Sequence, residues 1–165
     1  MTTPPIDHDR PLSDLDFVAF DTETTGLVAS TERVIELSGV RFSFDGEISR
    51  FESLIDPQRA IPPDSIRMHG IQDEDVRGQP LFADAVGGFL DLIDGTVVLA
   101  HNAEFDVGFL AHEAHRAGRK MPRVPVVDTV EISRALREDL PNHKLETISK
   151  ALNCPAPTYH RALAD

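Results

Sequence analysis

The sequence predicts one mixed α/β domain, and two observations carry that prediction. The first third holds three strand-like runs, two of them joined by the hairpin signal Asp45-Gly46. After residue 80, short apolar runs alternate with stripes of helical spacing. An antiparallel meander followed by alternating helices and strands gives a mixed sheet, partly parallel and covered by helices on both faces. The chain of 165 residues is long enough for a single domain with a sizeable core.

Residues 1–14 are polar and proline-rich and are expected to be a disordered lead-in, with the domain proper over 15–165. The first strand is predicted over 16–23, where Phe17-Val-Ala-Phe runs into Asp21-Thr-Glu23. Arg33 to Phe44 forms the second run, and Glu47 to Ile55 the third, ending at Asp56-Pro57. A short helix is expected near Pro62-Pro63-Asp64, followed by Met68-His69-Gly70-Ile71. Phe82, Ala85, Val86, Phe89 and Ile93 fall at helical spacing and predict a helix over 80–93, although Gly87-Gly88 weakens it. Thr96 to Ala100 is short and continuously apolar, as in a strand buried on both faces. The stripe Ala103, Val107, Leu110, Ala114, Ala117 predicts a helix stopped by Gly118. Val124 to Val127 reads as an edge strand because it contains Pro125. Helices over 129–138 and 144–152, the latter with Leu145, Ile148 and Leu152, complete the pattern.

Composition narrows the classes of function. Hydrophobic residues make up 41% and charged residues 27%, and no apolar run is long enough for a membrane span. The single cysteine, Cys154, excludes an intrachain disulfide and is compatible with a reducing compartment, so a cytoplasmic protein without a membrane is expected. The net charge is −12, from 28 acidic and 16 basic residues, which argues against broad electrostatic binding of nucleic acid. An acidic chain can still act on a phosphate polymer where bound cations cancel the acids of its site.

Three clusters carry chemistry. On a strand, Asp21 and Glu23 emerge side by side, and two such carboxylates repel unless a proton or cation lies between them. Hard oxygens of this kind suit Mg²⁺, Mn²⁺ or Ca²⁺. The second cluster, His101-Asn102-Ala103-Glu104-Phe105-Asp106, lies at a strand-to-helix junction. There Asp106 sits beside the apolar stripe and points inward, while Glu104 faces away; an inward carboxylate needs a metal, a base, backbone donors or the helix dipole. The third is His160-Arg-Ala-Leu-Ala-Asp165. These two side chains converge if His160 sits on a loop and Asp165 in the first turns of a helix.

The order and spacing of these clusters resemble the DEDD superfamily of 3′→5′ exonucleases, in its histidine-bearing (DEDDh) branch. Phe20-Asp21-Thr-Glu23-Thr-Thr-Gly26, His69-Gly-Ile, His101 to Asp106 and His160 to Asp165 look most like the proofreading exonuclease (epsilon) subunits of bacterial DNA polymerase III. The resemblance spans about 16–165. It implies a ribonuclease H-like fold with a five-stranded mixed sheet flanked by helices. It also implies two divalent cations, Mg²⁺ or Mn²⁺, held by Asp21, Glu23, Asp106 and Asp165, with His160 as general base. Glu23, Thr24, Thr25 and Gly26 would grip the terminal nucleotide. His69 would stand near the scissile end, His101 and Asn102 would either contact substrate or cap the following helix, and Phe105 would either stack on a base or pack in the core. Asp128, although it too resembles a family feature, reads as a helix cap. His112 and His115, among Glu113, Arg116 and Arg119, read as a solvated helix face rather than a metal clip.

The implied activity is hydrolysis at the 3′ end of single-stranded or mispaired DNA, releasing nucleoside monophosphates, with a DNA polymerase or repair subunit as partner. An exoribonuclease acting on RNA or short oligoribonucleotides is the alternative within the class, since no residue declares how a 2′-hydroxyl is treated. A catalytically silent docking domain is the alternative outside it. Family members continue their final helix past the last carboxylate, so a longer natural chain is expected.

Overall fold

A computed structural model describes residues 9–154. Eleven elements follow in order: β1 (Phe17–Thr24), β2 (Val34–Ser43), β3 (Gly46–Leu54), α1 (Pro63–His69), α2 (Asp73–Val76), α3 (Phe82–Ile93), β4 (Val97–Ala100), α4 (Ala103–Arg116), β5 (Val126–Asp128), α5 (Thr129–Leu136) and α6 (Leu145–Ala151). The strands form one sheet in the order β3-β2-β1-β4-β5. β1–β2 and β2–β3 pair antiparallel, whereas β1–β4 and β4–β5 pair parallel. This is the mixed five-stranded sheet that the sequence predicts, with β5 at its edge.

One face of β1 makes the core. Val18 and Phe20 alternate with Ala19 and Asp21, and the Phe20 ring lies 5.4 Å from that of Phe89 on α3. Val86, Phe89 and Ile93 of α3 and Phe109 and Leu110 of α4 are buried with them, against Leu37 of β2 and Val98 of β4. The Gly87-Gly88 pair leaves α3 intact because it serves packing. A Cβ at Gly88 would stand 3.2 Å from the Phe51 ring, and the bare glycine lets helix and sheet approach. A smaller cluster of Ile35, Ile61, Ile71 and Val76 seats α1 and α2.

Three expectations are corrected. The lead-in is ordered before residue 14: Leu12–Asp14 makes a 3₁₀ turn, with the Leu15 N–H donating to the Leu12 carbonyl at 3.1 Å and the Arg10 guanidinium donating to the Asp14 carbonyl. Pro11 presets the backbone for that turn. Residues 1–8 lie outside the described region. The edge strand begins at Val126 rather than Val124, since Pro125 has no N–H to pair and contributes only its carbonyl, which accepts from the Val98 N–H at 2.9 Å. Third, Glu113 does not belong to a solvated face. It is 1% exposed and chelates Arg33, although His112 and His115 beside it are exposed as expected. The short α2 was not anticipated; Gln72 and Asp75 close its first turn reciprocally, with the Gln72 N–H donating to Asp75 at 2.8 Å.

Candidate active site

The site grows from the last residues of β1. Strand alternation places Thr22 toward the helices and leaves Asp21 and Glu23 together on the opposite side, both half-buried. Their partners across β2 are Ser38 and Glu36, both 1% exposed. Glu36, flanked by the apolar Ile35 and Leu37, gives no signal of its burial in the sequence. The Ser38 hydroxyl is buried without a hydrogen-bond partner among the described residues.

From the other direction comes Asp106, in the first turn of α4 and 2% exposed. Its Oδ1 accepts the Thr22 backbone N–H at 3.0 Å and the Thr22 hydroxyl at 2.7 Å. The inward carboxylate expected from the apolar stripe therefore docks on the residue between Asp21 and Glu23. Burial pushes its carboxyl up to about 6; the Thr22 bonds hold it down in part, and the Asp128 carboxylate nearby adds to the rise. Glu104 is exposed, as its position on the helix requires.

Asp128 ties this corner to the sheet edge. Its Oδ1 and Oδ2 accept from the Asn102 and Ala103 N–H groups at 3.1 Å each, and Oδ1 also accepts from the Val130 N–H at 2.8 Å. One carboxylate thus caps both α4 and α5, the capping role expected of it. Asn102 holds a left-handed backbone (φ 66°) and makes no side-chain cap. His101 reaches Thr129, with Nδ1 and Oγ1 3.0 Å apart.

A cleft of about 480 Å³ lies against this corner. Thr22 to Leu27 form one wall, Ser65, Met68 and His69 of α1 another, and Phe105 a third. His69 is 6% exposed, and its Nδ1 accepts from the Ile71 N–H at 3.0 Å, which leaves the proton of the neutral ring on Nε2. Thr24 and Thr25 are buried, and their hydroxyls shape the turn: Thr24 donates to the Gly26 carbonyl at 2.6 Å and Thr25 to Glu32 at 2.6 Å. A Cβ on Gly26 would lie 2.9 Å from the Glu32 side chain, so only glycine lets the turn close this tightly. Phe105 is half-buried, its ring 4.8 Å from that of Phe109; it joins the core and faces the cleft at once. Leu27, 84% exposed, and Met68 of α1, 62% exposed, complete the walls; a lone apolar residue such as Leu27 in a loop carries no pattern in the sequence. A shallower groove of about 300 Å³ continues past Leu27 and Phe105 along Ala29, Asn102 and Gly108.

Of the sequence-nominated residues, Asp21 and Glu23 lie on the last part of β1 and Asp106 bonds Thr22 between them, while Glu23, Thr24, Thr25, Gly26, His69 and Phe105 line the cleft. His160 and Asp165 lie outside the described residues. Among the described residues no three acidic, histidine or cysteine side chains stand close enough to hold one metal ion. The oxygen donors nevertheless suit a hard divalent cation, and a buried carboxyl raised toward 6 is a group that a cation would ionise. A larger cleft, about 530 Å³, opens at the opposite end of the sheet between α3 and the α4–β5 connection, away from all these residues.

The family model described as Exonuclease (RNase_T) matches residues 18–165. The chain is 40% identical over 151 residues to the DNA polymerase III subunit epsilon of Treponema pallidum, covering 90% of this chain and 70% of that protein. It is 39% identical over 155 residues to the PolC-type DNA polymerase III of Halalkalibacterium halodurans, covering 94% of this chain but 11% of that one. The chain therefore spans about a tenth of the length of the PolC-type relatives it matches. Among solved structures, E. coli exonuclease I in complex with a dT13 oligonucleotide superposes with a TM-score of 0.81 at 20% identity, over 92% of this chain and 38% of that one. Exonuclease X in complex with 5′ overhanging duplex DNA superposes at 0.69 with 22% identity, over 90% and 82%. These two likenesses establish the fold.

Proposed function

The chain belongs to the RNase_T exonuclease family, and on that premise we propose that it hydrolyses the last phosphodiester at the 3′ end of single-stranded or mispaired DNA, releasing nucleoside monophosphates. One observation supports this above the others. Asp106 is tied to Thr22, the residue between Asp21 and Glu23, at the end of β1 that borders a cleft walled by the Thr24-Thr25-Gly26 turn, His69 and Phe105.

In this reading Asp21, Glu23, Asp106 and Asp165 hold two divalent cations, Mg²⁺ or Mn²⁺. Bound there, the cations would lower the pKa of a water and stabilise the departing 3′ oxygen. The protein's own tasks are placement and proton transfer. His160 accepts the proton of the attacking water, a task suited to an imidazole near neutral pH. Glu23 and the rigid turn at Thr24, Thr25 and Gly26 seat the terminal sugar and base, and Phe105 offers its exposed ring edge to a base. His69 walls the cleft near the scissile end, and His101 and Asn102 flank the strand's path. The name of the Treponema relative favours a polymerase assembly as partner, and the domain is taken as 15–165.

The deciding experiment is a gel time course on 5′-labelled DNA and RNA oligomers, using the full-length protein with Mg²⁺ or Mn²⁺. A one-nucleotide ladder from the 3′ end of DNA, abolished by EDTA and reduced at least about 10³-fold by Asp21→Ala, is the expected result. A ladder from RNA in preference to DNA would reassign the substrate. No ladder from either polymer would sink the reading.

A further inference from the structure

The loop that walls the cleft is fastened by an arginine on the helix that carries Asp106. Arg116, in the last turn of α4, donates to three loop carbonyls: Ala29 at 3.0 Å, Ser30 at 2.7 Å and Glu32 at 3.1 Å. Buried Glu113, one turn earlier, holds that guanidinium at 3.3 Å and Arg33 at 2.6 Å, and its Oε1 also accepts from the Val34 N–H at 3.3 Å. A fully desolvated carboxylate shared between two guanidinium groups has one favourable geometry, so Arg116 is held where its planar fork meets the loop. The loop's inner side is fixed separately. Glu32 accepts from Thr25 and pairs with Arg59 at 3.3 Å, and the Thr31 and Glu32 N–H groups close a turn on the Val28 carbonyl. What Arg116 adds is the distance from loop to helix α4.

That distance sets a groove. Leu27 and Ala29 on the loop face Phe105, Gly108 and Phe109 on α4 across the 300 Å³ extension of the cleft. On the exonuclease reading, a strand whose terminal nucleotide filled the 480 Å³ cleft would pass through this extension with its next nucleotide. We propose that Arg116 is a positioning residue: by clasping 29–32 to α4 it fixes the width of the groove that takes the penultimate nucleotide. This rests on the exonuclease reading of the same cleft.

The test compares two substrates on the full-length protein, its Arg116→Met variant and its Arg116→Lys variant. One substrate is a dT oligomer. The other is thymidine 5′-(4-nitrophenyl) phosphate, in which nitrophenolate stands where the penultimate nucleoside would leave. Arg116→Met is expected to raise KM for the oligomer about tenfold with kcat within about twofold, and to leave both constants for the nitrophenyl ester unchanged. Arg116→Lys, which keeps the charge but not the fork, should recover part of the loss. Hydrogen exchange at the Thr31 and Glu32 amides should accelerate in Arg116→Met. An unchanged oligomer KM, or an equal loss on both substrates, overturns the proposal. Were the unaltered protein to cleave neither substrate, the exonuclease reading would fail instead. The exchange rates would then judge the clasp alone, and unaccelerated amides would overturn it.

Discussion

Asp106 shows how one residue trades stability for a site. Its carboxyl is pushed up to about 6, chiefly by burial, so between roughly pH 4 and 6 the folded chain holds a proton that the unfolded chain gives up. Stability from this group is therefore present at the acid end and lost as pH rises through 6. At pH 7, without metal, the buried charge costs about 2–3 kcal/mol. Asp106→Asn keeps an acceptor for Thr22 and removes that charge. In EDTA the variant should be more stable than the parent at pH 7 by about this amount, and indistinguishable from it near pH 4. Thermal melts at the two pH values read this directly. The same variant should lose Mn²⁺ binding by calorimetry, and for the parent protein the affinity should fall as pH drops below 6. The inward aim of Asp106 was legible from its place beside an apolar stripe. Its partner Thr22, 84 positions away, was not, because no local spacing encodes it.

Among the elements, those with a strong local period were legible. The three runs of the meander and the stripes of α3 and α4 declare themselves, and Gly118 and the Asp45-Gly46 turn punctuate them. What stayed hidden depends on contacts between elements. Glu113 looked like surface because His112, His115, Arg116 and Arg119 surround it, yet it pairs with Arg33, just before β2 and eighty positions away. Removing its carboxylate takes the charged acceptor from two guanidinium groups, which keep only backbone carbonyls, and from the Val34 N–H. Glu113→Ala should lower unfolding free energy by roughly 2–4 kcal/mol in urea titration, somewhat below a fully buried pair because Arg33 is partly exposed. Asp128 joins elements more cheaply still. Since it caps α4 and α5 together, Asp128→Ala should be worse than the loss of an ordinary cap, about 2–3 kcal/mol. Asp128→Asn should also lower the carboxyl pKa of Asp106, and NMR titration of Asp106 would register the change.

For the whole molecule, the net charge of −12 meets a cleft and groove whose walls, among the described residues, carry no lysine or arginine. A grip built from stacking, backbone and bound cations releases few counterions. The logarithm of oligomer KM should therefore rise with the logarithm of salt at a slope of about 1, against the 6–10 of proteins that neutralise many phosphates. Measuring KM between 50 and 200 mM salt, about the range over which such contacts are usually separated, gives the answer. No helix among the described residues is long and apolar enough to cross a membrane. At this scale the sequence was most informative, since the order of strands and carboxylates along the chain sufficed to expect the mixed sheet.

The Asp106–Thr22 bond has one further consequence, which concerns the birth of the protein. Its two ends emerge from the ribosome 84 residues apart, and the β1–β4 pairing between them likewise closes a long loop, with Phe17 beside Val97. The meander can pair as soon as it is made, but the corner that gathers the acids cannot exist until α4 has been synthesised and has swung back onto β1. A nascent or truncated chain would carry Asp21 and Glu23 with no Asp106 to meet them. A chain that stops before α4 therefore lacks one of the carboxylates to which the proposed chemistry is assigned.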